Sequence, residues 1–190
     1  VGSEMCIRDS VYIVRYAVLD WGPTLLGEWK GVSIHHAGWM VAAFEISGIV
    51  GMLVAGWATD RFFGGRGPRV CVICMALATV FVALFWGISQ PPMWLATLLL
   101  GAAGFCIYGP QALVGIAAAN IATKKAAATA VGFTGLFGYA STLVSGWGLG
   151  LLAQHYGWNI AVGALILIAI MGTLIFMAAW SAKANGYDND

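Results

Sequence analysis

Charge is what this sequence has least of. Only 9% of its 190 residues are Asp, Glu, Lys or Arg, against roughly 25% in a soluble domain, which excludes an ordinary water-soluble globule. The few charges nearly cancel, 9 basic against 8 acidic for a net of +1, so no basic field exists to neutralise a nucleic-acid backbone. Disorder is excluded as well, because disordered chains are polar and poor in aromatics. Cysteine is sparse, with 4 in the chain. Cys71 and Cys74 form a C-x-x-C near the start of an apolar run, with no second pair and no nearby histidine to complete four zinc ligands. Packing is the expected role of that pair. His35 and His36 stand together without carboxylates and read as solvated surface. No glycine-rich phosphate loop follows a strand, and no nucleophile, base and orienter recur together. The sequence therefore points to no enzyme, metal or other cofactor.

What it holds in quantity is apolar surface: 61% hydrophobic residues, with 26 Gly and 9 Trp. A transmembrane helix needs about 20 mostly apolar residues, and six such runs can be marked. They are Val11–Leu26, Gly38–Ala58, Val70–Ile88, Met93–Ala119, Ala126–Leu152 and Trp158–Ala182, joined by short polar segments that force neighbours to run antiparallel. The fold class expected is an all-α polytopic membrane protein. Cytoplasmic loops collect Lys and Arg. If the six runs alternate, Arg61, Arg66, Arg69, Lys124, Lys125 and Lys183 share one side and Lys30 alone marks the other, which places the C-terminal tail, 183–190, in the cytoplasm. Residues 1–10 have no apolar face and none of the layers of a signal peptide. They read as a non-native, adapter-like leader. The first run, at 1.5 Å per residue, reaches only about 24 Å, as if its first turns were missing.

Ionisable residues within spans cost roughly 2.5 to 3.5 kcal/mol at mid-helix and usually face a cavity or a partner. Arg15, Asp20 and Glu45 are the three here. Arg15 and Asp20 are five residues apart, about 140° around a helix, whereas paired residues stand three or four apart, so Arg15 needs a partner elsewhere. It is either a structural arginine bonded to another helix or one that meets a ligand. The planar guanidinium fork matches phosphate or carboxylate oxygens bidentately, which implies an anionic substrate. Tyr12 lies on the same face as Arg15, while Tyr16 lies one step off and shares a face with Asp20; an interfacial aromatic belt is the alternative reading of both. Glu45 fits a proton-coupling site, a partner to a cation on another helix, or a buried protonated acid. Small residues let membrane helices approach closely, as in the stripes Gly51, Ala55, Thr59 and Gly146, Gly150. The fifth run, with Gly132, Gly135, Gly138 and nearby Thr134, Ser141, Thr142 and Ser145, either packs tightly or lines a path. Gly109-Pro110 breaks a backbone hydrogen bond within the fourth run.

Four stretches together resemble one group: Tyr12–Pro23 (YIVRYAVLDWGP), Gly56–Gly67 (GWATDRFFGGRG), Tyr108–Gly115 (YGPQALVG) and Lys124–Tyr139 (KKAAATAVGFTGLFGY). They are similar to helices seven to twelve of the organophosphate:inorganic phosphate antiporters of the major facilitator superfamily. The resemblance implies six helices forming the C-terminal half of a twelve-helix fold, over residues 11–182. It implies exchange of a sugar phosphate or glycerol 3-phosphate for inorganic phosphate by alternating access, in a bacterial inner membrane. Carried over by residue, Arg15 matches an arginine that grips the substrate phosphate together with a second arginine in the absent N-terminal half. Tyr12, Tyr108 and Tyr139 match cavity-lining aromatics, and Asp20 matches an acid that pairs with a lysine of that half. Gly56, Asp60, Arg61 and Arg66 match the cytoplasmic gating loop. Phe44-Glu45, Val54–Trp57 and Gly109–Ala118 look closer to the hexose-phosphate branch. That branch includes a membrane sensor, so a receptor of external hexose phosphate signalling to a histidine kinase is the main rival. A proton-coupled anion carrier, titrating at Glu45, is the second.

Overall fold

A computed structural model of the chain describes residues 2–88, 91–121 and 127–178. It is a bundle of helices with no strand among the described residues: α1 (Gly2–Lys30), α2 (Ile34–Phe63), α3 (Gly67–Gly87), α4 (Met93–Ile121), α5 (Ala127–Leu143), a π-helical turn (Val144–Gly148), α6 (Leu149–Tyr156) and α7 (Trp158–Ala178). Among the described residues, four segments are long and apolar enough to cross a membrane: Ile34–Phe63, Gly67–Gly87, Met93–Ile116 and Trp158–Ala178. α1 is not apolar enough to meet that standard, and the helix from Ala127 to Tyr156 is divided by the π-helical turn. Lys124, Lys125, Lys183, the tail 183–190 and the last residues expected in the sixth run, 179–182, lie outside the described residues.

The first helices extend beyond the apolar runs. α1 begins at Gly2 rather than Val11, and α2 continues through Asp60 and Arg61 to Phe63, so polar residues expected in a loop form the last turn of a helix. Polar side chains do not end a helix while its backbone bonds continue; here glycine ends it. Gly64 and Gly65 adopt φ of 56° and 76°, a region open to glycine without strain. The Gly65 N–H closes on the Thr59 carbonyl at 3.0 Å. Pro68 sits in the first turn of α3, where its missing N–H costs nothing.

α2 packs along α4, α3 lies against α4 and α7, and α1 touches α2, α5 and α7. Glycine decides how closely the first pair approaches. A Cβ on Gly51 would stand 2.0 Å from the Phe105 carbonyl oxygen, and one on Gly104 would stand 2.4 Å from that of Phe44. Ala55 and Thr59 continue the buried Gly51 stripe, as the small-residue spacing led one to expect. Gly104→Val is expected to cost about 1–3 kcal/mol, the usual penalty for overfilling a packed contact, and to lower the unfolding midpoint in detergent. An unchanged midpoint would mean that α2 and α4 are free to separate.

The middle of the bundle is filled by Val11, Val14, Phe44, Met75, Ile107 and their neighbours. Cys71 belongs to this core and Cys74 packs against it, where an apolar role accounts for both. Outside it, α3 turns Ile73, Leu77, Val80 and Leu84 outward, and α7 does the same with Leu167, Ile170, Met171 and Leu174. Hydrocarbon, unlike water, solvates such faces without penalty. At one end, Lys30 Nζ donates to the Ile88 carbonyl at 2.5 Å and lies 3.8 Å from the centre of the Trp29 ring.

Candidate functional site

Four helices contribute to one polar cluster. α1 supplies Tyr12, Arg15 and Tyr16, α2 supplies Glu45, α4 supplies Tyr108 and α5 supplies Tyr139. Arg15 Nη2 donates to Glu45 Oε2 at 3.4 Å, so the partner that helical geometry demanded is a carboxylate on the next helix, not Asp20. Of the three readings open for Glu45, partnership with a cation on another helix is the arrangement found. The Tyr108 hydroxyl donates to the same Oε2, and the Tyr108 ring lies beneath the guanidinium, 4.3 Å from Cζ to the ring centre. Tyr16 offers a second ring at 5.3 Å. Tyr12, Tyr16 and Tyr139 then form a wall of three rings with centres 5.8, 6.0 and 6.3 Å apart.

The cluster is not saturated. Arg15 Nε and Glu45 Oε1 are buried and make no hydrogen bond, although each would normally be satisfied. At 3.4 Å the ion pair is also looser than the 2.7–2.9 Å of a tight charge-assisted contact. The side chains retain 17% and 31% of their exposure, and the Tyr139 ring is 60% exposed. The Arg15 side chain is thus partly exposed beside a more exposed Tyr139. A pocket of about 40 Å³ among Ala17, Gly22, Val41, Phe81 and Phe85 is too small and too apolar to hold a dianion.

Other expected residues lie elsewhere. Asp20 is exposed on α1, away from any described ion pair with Arg15. Gly56, Asp60 and Arg61 are in α2 and Arg66 caps α3, so three of the four expected in a loop are helical. Ser141 and Ser145 are buried rather than lining a path. Ser141 Oγ donates to Asp9 Oδ1 at 3.3 Å and Ser145 Oγ to the Ile13 carbonyl at 3.2 Å, which makes them a seam between α5 and α1. Tyr16 belongs to the cluster although its neighbour Tyr12 was the expected member; its i+4 spacing from Tyr12 was the available signal.

An apolar helical bundle with lipid-compatible outer faces that gathers an arginine, a glutamate and four tyrosines in one cluster has the composition of an integral membrane protein. The chain belongs to the Major Facilitator Superfamily, whose family description matches residues 11–186, and its relatives match the organophosphate:inorganic phosphate antiporter family that the motifs resemble. The "Probable hexose phosphate transport protein" of Chlamydia muridarum is 41% identical over 175 residues, 91% of this chain and 38% of the relative. The "Glycerol-3-phosphate transporter" of Haemophilus influenzae is 35% identical over 194 residues, covering 92% of this chain and 40% of the relative. The "Membrane sensor protein UhpC" of Salmonella typhimurium is 34% identical over 175 residues, 92% and 39% of the two chains. The chain spans 38–40% of the length of these relatives.

Proposed function

We propose that this chain is the C-terminal half of an antiporter that exchanges a sugar phosphate or glycerol 3-phosphate for inorganic phosphate. In this reading α1, α2, α3, α4, the helix from α5 through α6, and α7 are six spans, the C-terminal tail is cytoplasmic, and an N-terminal six-helix half supplies the facing wall. The loosely paired Arg15, its side chain 17% exposed and held to Glu45 only at 3.4 Å, is the observation that carries the proposal. A guanidinium fork prefers the geminal oxygens of a phosphate to a single carboxylate oxygen at 3.4 Å.

The mechanism is a competition for the guanidinium. Without substrate, Glu45 partly neutralises Arg15. A phosphate dianion takes over the guanidinium and leaves Glu45 to the Tyr108 hydroxyl. With Glu45 already offsetting Arg15, the charge left uncompensated in an empty site is that of the second arginine, which the resemblance implies in the other half; burying it costs several kcal/mol, so the two halves close over an occupied site more readily than over an empty one, and rocking about a central site moves the cargo. Exchange results, because each return also needs an anion. Tyr12, Tyr16 and Tyr139 stand next to the arginine and form the wall against which the organic part of the substrate lies. Asp20, exposed on α1, and the Asp60, Arg61 and Arg66 end of the α2–α3 turn are the charges left for contacts with the other half and for the cytoplasmic gate.

The test uses the full-length protein in phosphate-loaded proteoliposomes, with labelled glucose 6-phosphate or glycerol 3-phosphate outside. Uptake that requires internal phosphate supports the antiporter, and the preferred label names its cargo. The sensor name of the Salmonella relative favours a second reading, in which the same site binds hexose phosphate and signals. Binding without uptake under every gradient would establish it. Uptake driven by pH without internal phosphate would instead indicate a proton-coupled carrier.

A further inference from the structure

The helix that carries Tyr139 is interrupted by the π-helical turn at Val144–Gly148. A π turn holds one residue more than an α turn. Relative to an unbroken α-helix, it rotates the segment on its N-terminal side against the segment on its C-terminal side by about 100°, with about 1.5 Å of displacement. Tyr139 and Ser141 precede the turn; Leu149 and Gly150, buried against the rest of the bundle, come after it. The turn therefore sets which face of α5 meets α1.

One side chain of α1 reaches both the turn and the residues beyond it. Trp21 Nε1 donates to the Gly146 carbonyl at 3.0 Å, a carbonyl inside the π turn that also receives the Leu149 N–H. The six-membered edge of the same indole rests on Gly150, where a Cβ would stand 2.7 Å from Trp21 Cζ2. The ring is held from behind by Trp158 at 5.9 Å between centres, itself bonded through Nε1 to Glu28 Oε2 at 2.7 Å. Ser145, also in the turn, bonds the Ile13 carbonyl. The turn is thus tied through Ser145 and the Gly146 carbonyl to α1, the helix of Arg15.

We propose that Trp21 is a positioning residue of the phosphate site: by bonding Gly146 and seating its ring on Gly150 it fixes the π register of the α5–α6 helix, which brings Tyr139 against Tyr12 and Tyr16. That the site binds phosphate rests on the function proposed above; the register itself does not depend on it.

The experiment cross-links the full-length protein carrying Tyr12→Cys and Tyr139→Cys with a short bifunctional thiol reagent, the linked peptide being identified by mass. Trp21→Phe keeps an aromatic ring at the position but removes both the Nε1 donor and the Cζ2–Cη2 edge that rests on Gly150. Loss of one buried hydrogen bond is on the order of tenfold in an equilibrium, so cross-linking is expected to fall several-fold while the unfolding midpoint stays near that of the parent. With the tyrosines intact, Trp21→Phe is expected to raise the dissociation constant of inorganic phosphate by a similar factor. Unchanged cross-linking, or a fall matched by a collapse of the midpoint, would overturn the inference. If Trp21→Phe does not fold, Gly150→Ala serves instead: it leaves the N–H in place and displaces the ring, with the same expected loss. A cross-link that falls in a protein that binds no phosphate would uphold the register and overturn the function.

Discussion

Arg15→Lys is expected to reduce exchange in phosphate-loaded proteoliposomes about 100-fold in kcat/KM, which corresponds to about 2.7 kcal/mol. The charge survives the substitution, but the fork does not. An ammonium group offers one point of charge where the guanidinium offers parallel donors, and it lies at the end of a flexible chain that has lost its seat on the Tyr108 and Tyr16 rings, which stand 4.3 and 5.3 Å from the arginine Cζ. The lysine can still reach Glu45, so the protein is expected to fold and insert normally, with an unfolding midpoint close to that of the parent. Exchange at the parent rate in Arg15→Lys would assign the arginine to structure alone.

The second large effect has the opposite sign. Glu45→Gln is expected to tighten inorganic phosphate binding about tenfold, or about 1.4 kcal/mol, because the anion that competes for Arg15 is gone while the amide oxygen still accepts the Tyr108 hydroxyl. Tighter binding in one state does not speed a cycle, since stabilising a bound ground state leaves the barrier above it higher. Maximal exchange is therefore expected to fall as affinity rises. Measuring the dissociation constant and the exchange rate on the same preparation checks both. Weaker binding in Glu45→Gln would mean that the carboxylate helps to hold the ligand or to orient Arg15 rather than competing for it.

Much of this site could be read in the sequence because ionisable residues are so scarce in an apolar chain. Arg15 stands out by cost alone, and its separation from Asp20 excludes the nearest acid. Helical periodicity reaches only three or four residues along one element, however, and the partner lies 30 residues away on α2. The pairing of Glu45 with Arg15 and Tyr108 is a matter of how α1, α2 and α4 cross, which no local pattern encodes. The helix ends were misplaced for a related reason. Thr59, Asp60 and Arg61 are polar and read as loop, yet a helix that passes beyond hydrocarbon keeps its backbone bonds until Gly64 offers a left-handed exit. For the run that holds Ser141 and Ser145 the sequence leaves tight packing and a polar path both open; the two serines serve a buried seam with α1, and the π turn that orients them has no signature in composition. Nothing local marks Trp21, inside the Tyr12–Pro23 motif, because the groups that give it a role, the Gly146 carbonyl and Gly150, are more than 120 residues away.

Phosphate and Glu45 sharing one guanidinium is the central claim, and a double-mutant cycle measures that sharing directly. Inorganic phosphate binding is measured at equilibrium on the full-length protein, its Arg15→Lys and Glu45→Gln variants, and the double variant. Glu45→Gln is expected to tighten binding when Arg15 is present and to lose most of that effect when the arginine is replaced. Equal effects of Glu45→Gln in the two backgrounds would contradict the shared guanidinium, because the carboxylate would then act on phosphate by a route that does not pass through Arg15.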